Sequence, residues 1–231
     1  MTRRSVLVTG GAGGLGKAVT AAFAEAGWRV VTPQRARPSP VTDPGGTDPV
    51  RPVADLTDPQ DVARAVEVAA GDPEAPLRAL VNLVGGYASA GLVHETPIED
   101  FDRMLALNLR PTHLVTRAAL PHLVAAGGGA VVCVAARAAV APFPGVAGYV
   151  TAKAAVLGFA SAVAVEYRAT GVRCNTVLPS VIDTPTNRTA MPDADHARWV
   201  DPAEIASVIR FLASDESAPT SGAAVPVYGR A

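Results

Sequence analysis

Two residues four positions apart, Tyr149 and Lys153, carry the clearest chemical potential in the chain. On a helix that spacing places both side chains on one face. A free tyrosine ionises near pH ~10, too high for ready proton transfer at neutrality. A neighbouring ammonium favours the phenolate and is expected to draw that pKa down, so that the phenol can serve as an acid or a base. A second chemical segment lies near the start: Thr9-Gly10-Gly11-Ala12-Gly13-Gly14-Leu15-Gly16. It follows a short apolar strand, Ser5–Val8, and opens an apolar-periodic helix near Leu15–Ala26. Glycines there permit a tight turn, and the helix start offers unpaired amides and partial positive charge to a diphosphate. The segment ends Gly-Lys-Ala, so it is not a P-loop.

Strands and helices must alternate to hold these groups. After Gly27 a strand covers Arg29–Thr32. Residues 36–52 are rich in proline and glycine and cannot hold a helix, so they read as a loop replacing one. Thr57 or Asp58 caps a helix through Ala63–Ala70, with Pro59 near its start. Leu77–Leu83 is a buried strand, and a helical region spans Ile98–Ala125 with an interruption near Pro111. Then come a strand (Ala130–Val134), a long helix (Val146–Ala169) ended by Gly171, a strand (Val172–Leu178), a helix (Pro202–Ser214) and a last strand (Ala223–Tyr228). Continuous apolar strands between helices predict a single-domain α/β fold of the Rossmann type over residues 1–231. Its mostly parallel sheet is expected to have about seven strands, with helices on both faces.

Composition narrows the function. The 231 residues are 49% hydrophobic and 18% charged, which suits one globular domain and excludes general disorder. A net charge of −1 gives no overall attraction to nucleic acid or anionic lipid. Val6–Val8 is too short for a signal peptide and Ala154–Val165 too short to cross a bilayer, so a cytoplasmic protein is expected. Cys133 and Cys174 read as buried hydrophobes, and the four histidines lack metal-ligand spacing, so no metal is expected.

The pattern T-G-x-x-x-G-x-G through Gly10, Gly14, Leu15 and Gly16 resembles the short-chain dehydrogenase/reductase family, and further landmarks follow in order. The resemblance implies that Asp55-Leu56 contacts adenine, that Asn82 to Gly85 lines the nucleotide, and that Pro179, Ile182 and Thr184 orient the nicotinamide. It makes Tyr149 the proton donor, has Lys153 tune the phenol and hold the nicotinamide ribose, and gives Asn108 the support of a water path to Lys153. It also implies a homodimer or homotetramer. In dinucleotide folds an acidic residue after the second strand binds the ribose hydroxyls. Here that position is Gln34, followed by Arg35 and Arg37, so NADP(H) is favoured over NAD(H).

One departure stands out. The family's serine, thirteen positions before the tyrosine, is Ala136, and no hydroxyl lies between Val131 and Gly148. Dihydropteridine reductases within the family also lack it. The chain resembles them in the Ala136–Lys153 block and in Leu178–Trp199, which holds Asp183-Thr184-Pro185 and Met191-Pro192. A conjugated, quinonoid ring accepts hydride without strong polarisation of one carbonyl. The expectation is a reductase of such a molecule, with an irregular substrate loop at 184–200 and Tyr87, Ala136, Met191 and Trp199 at the substrate. The alternatives are a non-redox dehydratase or cyclase on the same fold, and a cofactor-binding protein with little turnover.

Overall fold

A computed structural model describes residues 3–35 and 49–230. The Pro/Gly-rich segment and Arg37 lie mostly outside that range. Strand β1 (Ser5–Thr9) is buried along its whole length, as β-branched and leucine residues are when a parallel strand is covered on both faces. It runs into α1 (Gly14–Glu25) and then into β2 (Arg29–Val31). Next come α2 (Pro59–Ala70), β3 (Leu77–Asn82), α3 (Ile98–Asn108), α4 (Arg110–Ala125), β4 (Gly129–Val134) and α5 (Ala147–Glu166). The described chain closes with β5 (Val172–Pro179), α6 (Pro185–Ala190), α7 (Pro202–Ala213) and β6 (Ala224–Val227).

All pairings are parallel, in the order β2-β1-β3-β4-β5-β6, with Leu178 of β5 opposite Pro226 of β6. Alternation along the strands divides the core. Leu7, Leu80 and Val131 face the layer containing Val62, Leu120 and Val156. Val6, Val8 and Val81 face Phe23, Ile205 and Ile209 on α1 and α7. Strand order reverses at β1, which lies between β2 and β3, so the crevice beyond the C-terminal ends of β1 and β3 is the natural ligand site of such a sheet.

The sheet has six strands rather than about seven. The missing one survives as isolated bridges, Val31 to Val50 and Gln34 to Val53. Val50 and Ala54 donate to β2-side carbonyls, but Pro52 between them has no N–H to give, so the ladder is interrupted. Asp58, not Thr57, caps α2, accepting from the amides of Gln60 and Asp61. The expected interruption of the 98–125 region falls at Leu109, and Pro111 sits in the first turn of α4, where a missing N–H costs nothing. Beyond Glu166 the chain tightens into a 3₁₀ turn and stops at Gly171, whose φ of 75° is left-handed. The segment expected to be irregular after Thr184 instead forms α6 and a 3₁₀ turn at His196–Arg198.

Helix α5, at 20 residues and a mean hydropathy of 1.5, is long and apolar enough to cross a bilayer, which the twelve-residue apolar run alone did not suggest. Its buried side, including Ala152, Lys153, Val156 and Ala160, packs on β4 and β5, as the core helix of a globular domain does.

Candidate active site

The glycine turn is built by contact rather than by composition. Gly10 has a φ of 70°, and its carbonyl accepts from the Gly13 amide at 3.0 Å. A Cβ on Gly16 would lie 2.1 Å from the Gly10 carbonyl oxygen, so the helix seats directly on the turn. No side chain caps α1 and no acidic residue sits in its first turn, leaving its amide end and positive dipole to an external anion. The Thr9 hydroxyl accepts from the Leu83 and Val84 amides at 3.0 and 3.3 Å, fastening the loop after β3 against the turn. Gly16→Ala is therefore expected to destabilise the fold by about 2 kcal/mol or more. Nucleotide affinity should drop with it; a denaturation midpoint and a binding isotherm equal to wild type would refute this packing account.

Lys153 projects from α5 beneath the sheet end, only 6% exposed, and donates to the Val134 carbonyl at 3.0 Å. Tyr149, one turn earlier, meets Tyr87 edge to face, with ring centres 5.2 Å apart and planes at 80°. The segment carrying Tyr87 is tied to the loop before α5, where the Ser89 hydroxyl and the Ala90 amide both bind the Gly145 carbonyl. Sequence reading missed Ser89, because its partner is 56 residues away and no local pattern marks the pair.

The structure reverses the expected electrostatics of this pair. Burial, with a smaller effect of Tyr87, pushes the Tyr149 phenol up to about 12. Burial also pushes the Lys153 ammonium down to about 8, against a partial pull upward from Cys133. Lys153 binds a backbone carbonyl, and no hydrogen bond joins it to the phenol, so the expected lowering of the Tyr149 pKa is not found. The phenol of this geometry is a protonated acid at neutral pH.

Asn108 is fully buried where α3 ends. Its amide donates to the Gly86 and Met104 carbonyls and accepts from the Gly86 amide. It thereby pins the stretch that leads to Tyr87. Gly85 passes so close that a Cβ there would lie 2.5 Å from the Asn108 amide oxygen and 3.1 Å from the Lys153 nitrogen. Asn108, Gly85, Lys153 and Tyr149 are thus brought together.

The nucleotide residues are placed less uniformly. Thr184 caps α6 through the Asn187 amide and reaches the glycine turn, its methyl occupying the place a Gly14 Cβ would take. Pro179 ends β5, and Ile182 is bridged to Val200. The Gln34 amide and carbonyl bond to Pro52 and Ala54, while Arg35 is exposed. Hydrogen bonds from the Thr57 amide and hydroxyl hold the Asp55 carboxyl below its ordinary range, with a smaller contribution from Arg35. Leu56 is in the core. Asn82 turns its amide nitrogen inward to the Thr116 hydroxyl at 2.9 Å and toward the Cys133 sulfur at 3.7 Å.

Ala136 is buried and extended at the end of β4, and Arg137 beyond it lies over the Tyr228 ring at 5.0 Å. On the far loop Met191 is partly exposed, and Trp199 stacks on His196 at 4.3 Å rather than on Tyr87 or Tyr149. The Asp183–Arg188 pair, at 2.5 and 2.7 Å, braces the start of α6. Among the described residues no cluster of histidine, cysteine or acidic side chains could hold a metal.

A parallel sheet with a glycine turn at its switch point, and a tyrosine–lysine helix across the crevice, defines a dinucleotide-binding protein with a proton-transfer group. The family model for short chain dehydrogenase matches residues 4–195. The chain belongs to that family of NAD(P)-binding oxidoreductases. It is 35% identical over 188 residues to 2-(R)-hydroxypropyl-CoM dehydrogenase of Xanthobacter autotrophicus, covering 76% of this chain and 75% of the relative. It is 33% identical to 2,5-dichloro-2,5-cyclohexadiene-1,4-diol dehydrogenase of Sphingobium indicum, covering 96% and 94%. A putative NAD(P)-dependent gluconate 5-dehydrogenase from Beutenbergia cavernae, solved with NADP at low occupancy, superposes with a TM-score of 0.85 at 28% identity, covering 98% and 95%. These matches identify the family and do not single out its dihydropteridine reductase-like branch.

Proposed function

We propose that the chain is a cytoplasmic, NADPH-dependent reductase of a conjugated or quinonoid small molecule. The observation that carries this reading is a neutral phenol, Tyr149, set beside an aromatic ring, Tyr87, with an alanine where the family has a hydroxyl donor. The uncapped start of α1 and the tight turn that Gly10, Gly14 and Gly16 permit fit the diphosphate of a nicotinamide nucleotide. When bound, that nucleotide supplies the hydride. The chain's residues do the rest. Tyr149 gives its proton to the reduced substrate, and Tyr87 offers a flat apolar face to a ring. Lys153 would supply positive charge to the ribose end of the bound nucleotide, and Asn108 fixes the loop that holds Tyr87. Ala136, Met191 and Trp199 complete the proposed substrate pocket with apolar surface. Without a hydroxyl at 136, an isolated ketone loses a donor whose kind is worth about 10²–10³ in rate. A delocalised acceptor needs it less.

The test is NADPH oxidation followed by absorbance with matched panels of quinonoid compounds and simple ketones. Turnover of the quinonoid panel alone is the expected result. Water loss or ring closure with no nucleotide oxidised would favour the dehydratase or cyclase reading instead.

Gln34 removes the acidic group that would repel a 2′-phosphate, and Arg35 adds a cation that can pair with it. Arg35→Ala is expected to weaken NADPH binding by about 10- to 100-fold, the loss of one charge-assisted contact, and to leave NADH binding unchanged. Calorimetry with both nucleotides checks it; equal weakening of the two would remove the basis for the NADPH preference. Homodimer or homotetramer formation is proposed through α5, whose outer side carries exposed Ala154, Gly158 and Val165, with open space at Gly158.

A further inference from the structure

A sizeable cavity lies well away from Tyr149. It opens at the opposite end of the sheet, where the strands begin, with a volume of about 470 Å³. Four arginines line it, Arg4, Arg78, Arg168 and Arg173, together with one carboxylate, Asp215. Those side chains leave three net positive charges around one hollow, in a chain whose whole balance is −1.

Three of the four cations are fixed in place rather than free to swing apart. The guanidinium of Arg173 is braced by the carbonyls of Leu212, Ser214 and Thr220 and by the Ser217 hydroxyl, at 2.9 to 3.2 Å. Arg78 is braced by the Ala126 carbonyl, and Arg4 by Asp215 at 2.6 Å while lying over Trp28. A guanidinium has five N–H groups, so these bonds leave donors over. The one carboxylate is already committed. Arg4 chiefly, with help from Arg78 and Arg173, holds Asp215 below the ordinary carboxylate range. The Arg168 side chain stands at the cavity with no hydrogen bond or ion pair to the described residues. The floor is kept low by glycine: Gly129 and Gly171 line it without side chains. Pre-positioned, partly desolvated guanidinium groups that repel one another are the arrangement that several anionic oxygens would relieve.

We infer that this cavity is a binding site for a small polyanion, a phosphoryl or polycarboxylate compound, separate from the nucleotide crevice. The inference does not depend on the reaction proposed above. Nothing in it requires turnover.

Calorimetry with tripolyphosphate and with citrate tests it on the full-length protein, using wild type, Arg168→Glu and Arg35→Ala. At least one probe should bind saturably with a Kd below about 1 mM and more weakly as salt is raised. Arg168→Glu should weaken that binding at least tenfold, since its side chain braces nothing and the fold should be kept; circular dichroism and an unchanged melting midpoint confirm that. Arg35→Ala, at the other end of the sheet, should bind as wild type does. Binding of tripolyphosphate alone assigns a phosphoryl ligand, of citrate alone a polycarboxylate, and of both an unselective polyanion site. Absence of heat with both probes, equal binding by Arg168→Glu, or loss of binding in Arg35→Ala would overturn the inference.

Discussion

Tyr149→Phe is expected to lower kcat by about 10²–10⁴-fold, the range for removal of a positioned general acid. Nucleotide affinity and stability should hardly change. The phenol oxygen makes no hydrogen bond to the described residues, and the ring keeps its edge-to-face contact with Tyr87 at 5.2 Å. Loss of the oxygen alone thus separates chemistry from packing. With the pKa near 12, about one molecule in 10⁵ carries phenolate at pH 7. The group is loaded to give a proton, the form that reduction requires. Single-turnover kinetics with saturating NADPH give the step directly. A Tyr149→Phe enzyme that turns over at the wild-type rate would end the proton-donor assignment.

Lys153→Met should produce the opposite pair of effects, greater stability and lost activity. Burial lowers the Lys153 pKa from 10.5 to about 8, so the folded state holds the ammonium at a penalty of about 3 kcal/mol below pH ~8. The sign follows from proton counting. Between pH ~8 and ~10.5 the unfolded chain binds more protons at this residue than the folded one, so its contribution to stability rises with pH across that window. Methionine has a similar reach and removes the penalty, but leaves the Val134 carbonyl without its donor, a loss of about 1 kcal/mol. Net stabilisation of roughly 2 kcal/mol at pH ~7 is expected, shrinking as pH is raised toward ~10. Denaturant titrations of both proteins across that range measure the difference, without nucleotide present. A variant less stable than wild type at neutral pH would show that the ammonium is not strained by its surroundings. Activity resting on the Lys153 charge should likewise fall as pH rises through about 8.

Much of this arrangement is readable from residue order. The glycine turn, the tyrosine–lysine register and the alternation of strand and helix each rest on local spacing, and each has a local physical cause. What escaped depends on distant partners. No strand was expected around Val50–Ala54, where the residues read as the end of a proline-rich loop; two isolated bridges form there all the same, and Pro52 keeps them from joining into a ladder. Asn82 reads as a nucleotide residue by position, yet Thr116 and Cys133 draw its amide inward. The phenol was expected to be acidified by its neighbour, because spacing shows proximity along a helix and not burial. Burial dominates, and the ammonium turns to Val134. The arginine cavity was invisible for the same reason. Its cations come from positions 4, 78, 168 and 173, on separate elements that only the folded sheet gathers.

Pro226 has a consequence for how copies of this chain can meet. The carbonyls of Ala223 and Val227 accept from β5, so the backbone groups of Pro226, on the opposite phase of the strand, face away from the sheet. An outer strand of four residues with one of its outward donors deleted offers a poor template for backbone zippering, the route by which exposed borders recruit further chains into fibrous stacks. Backbone pairing across this border is therefore disfavoured, and contact between copies along it is left to side-chain surfaces.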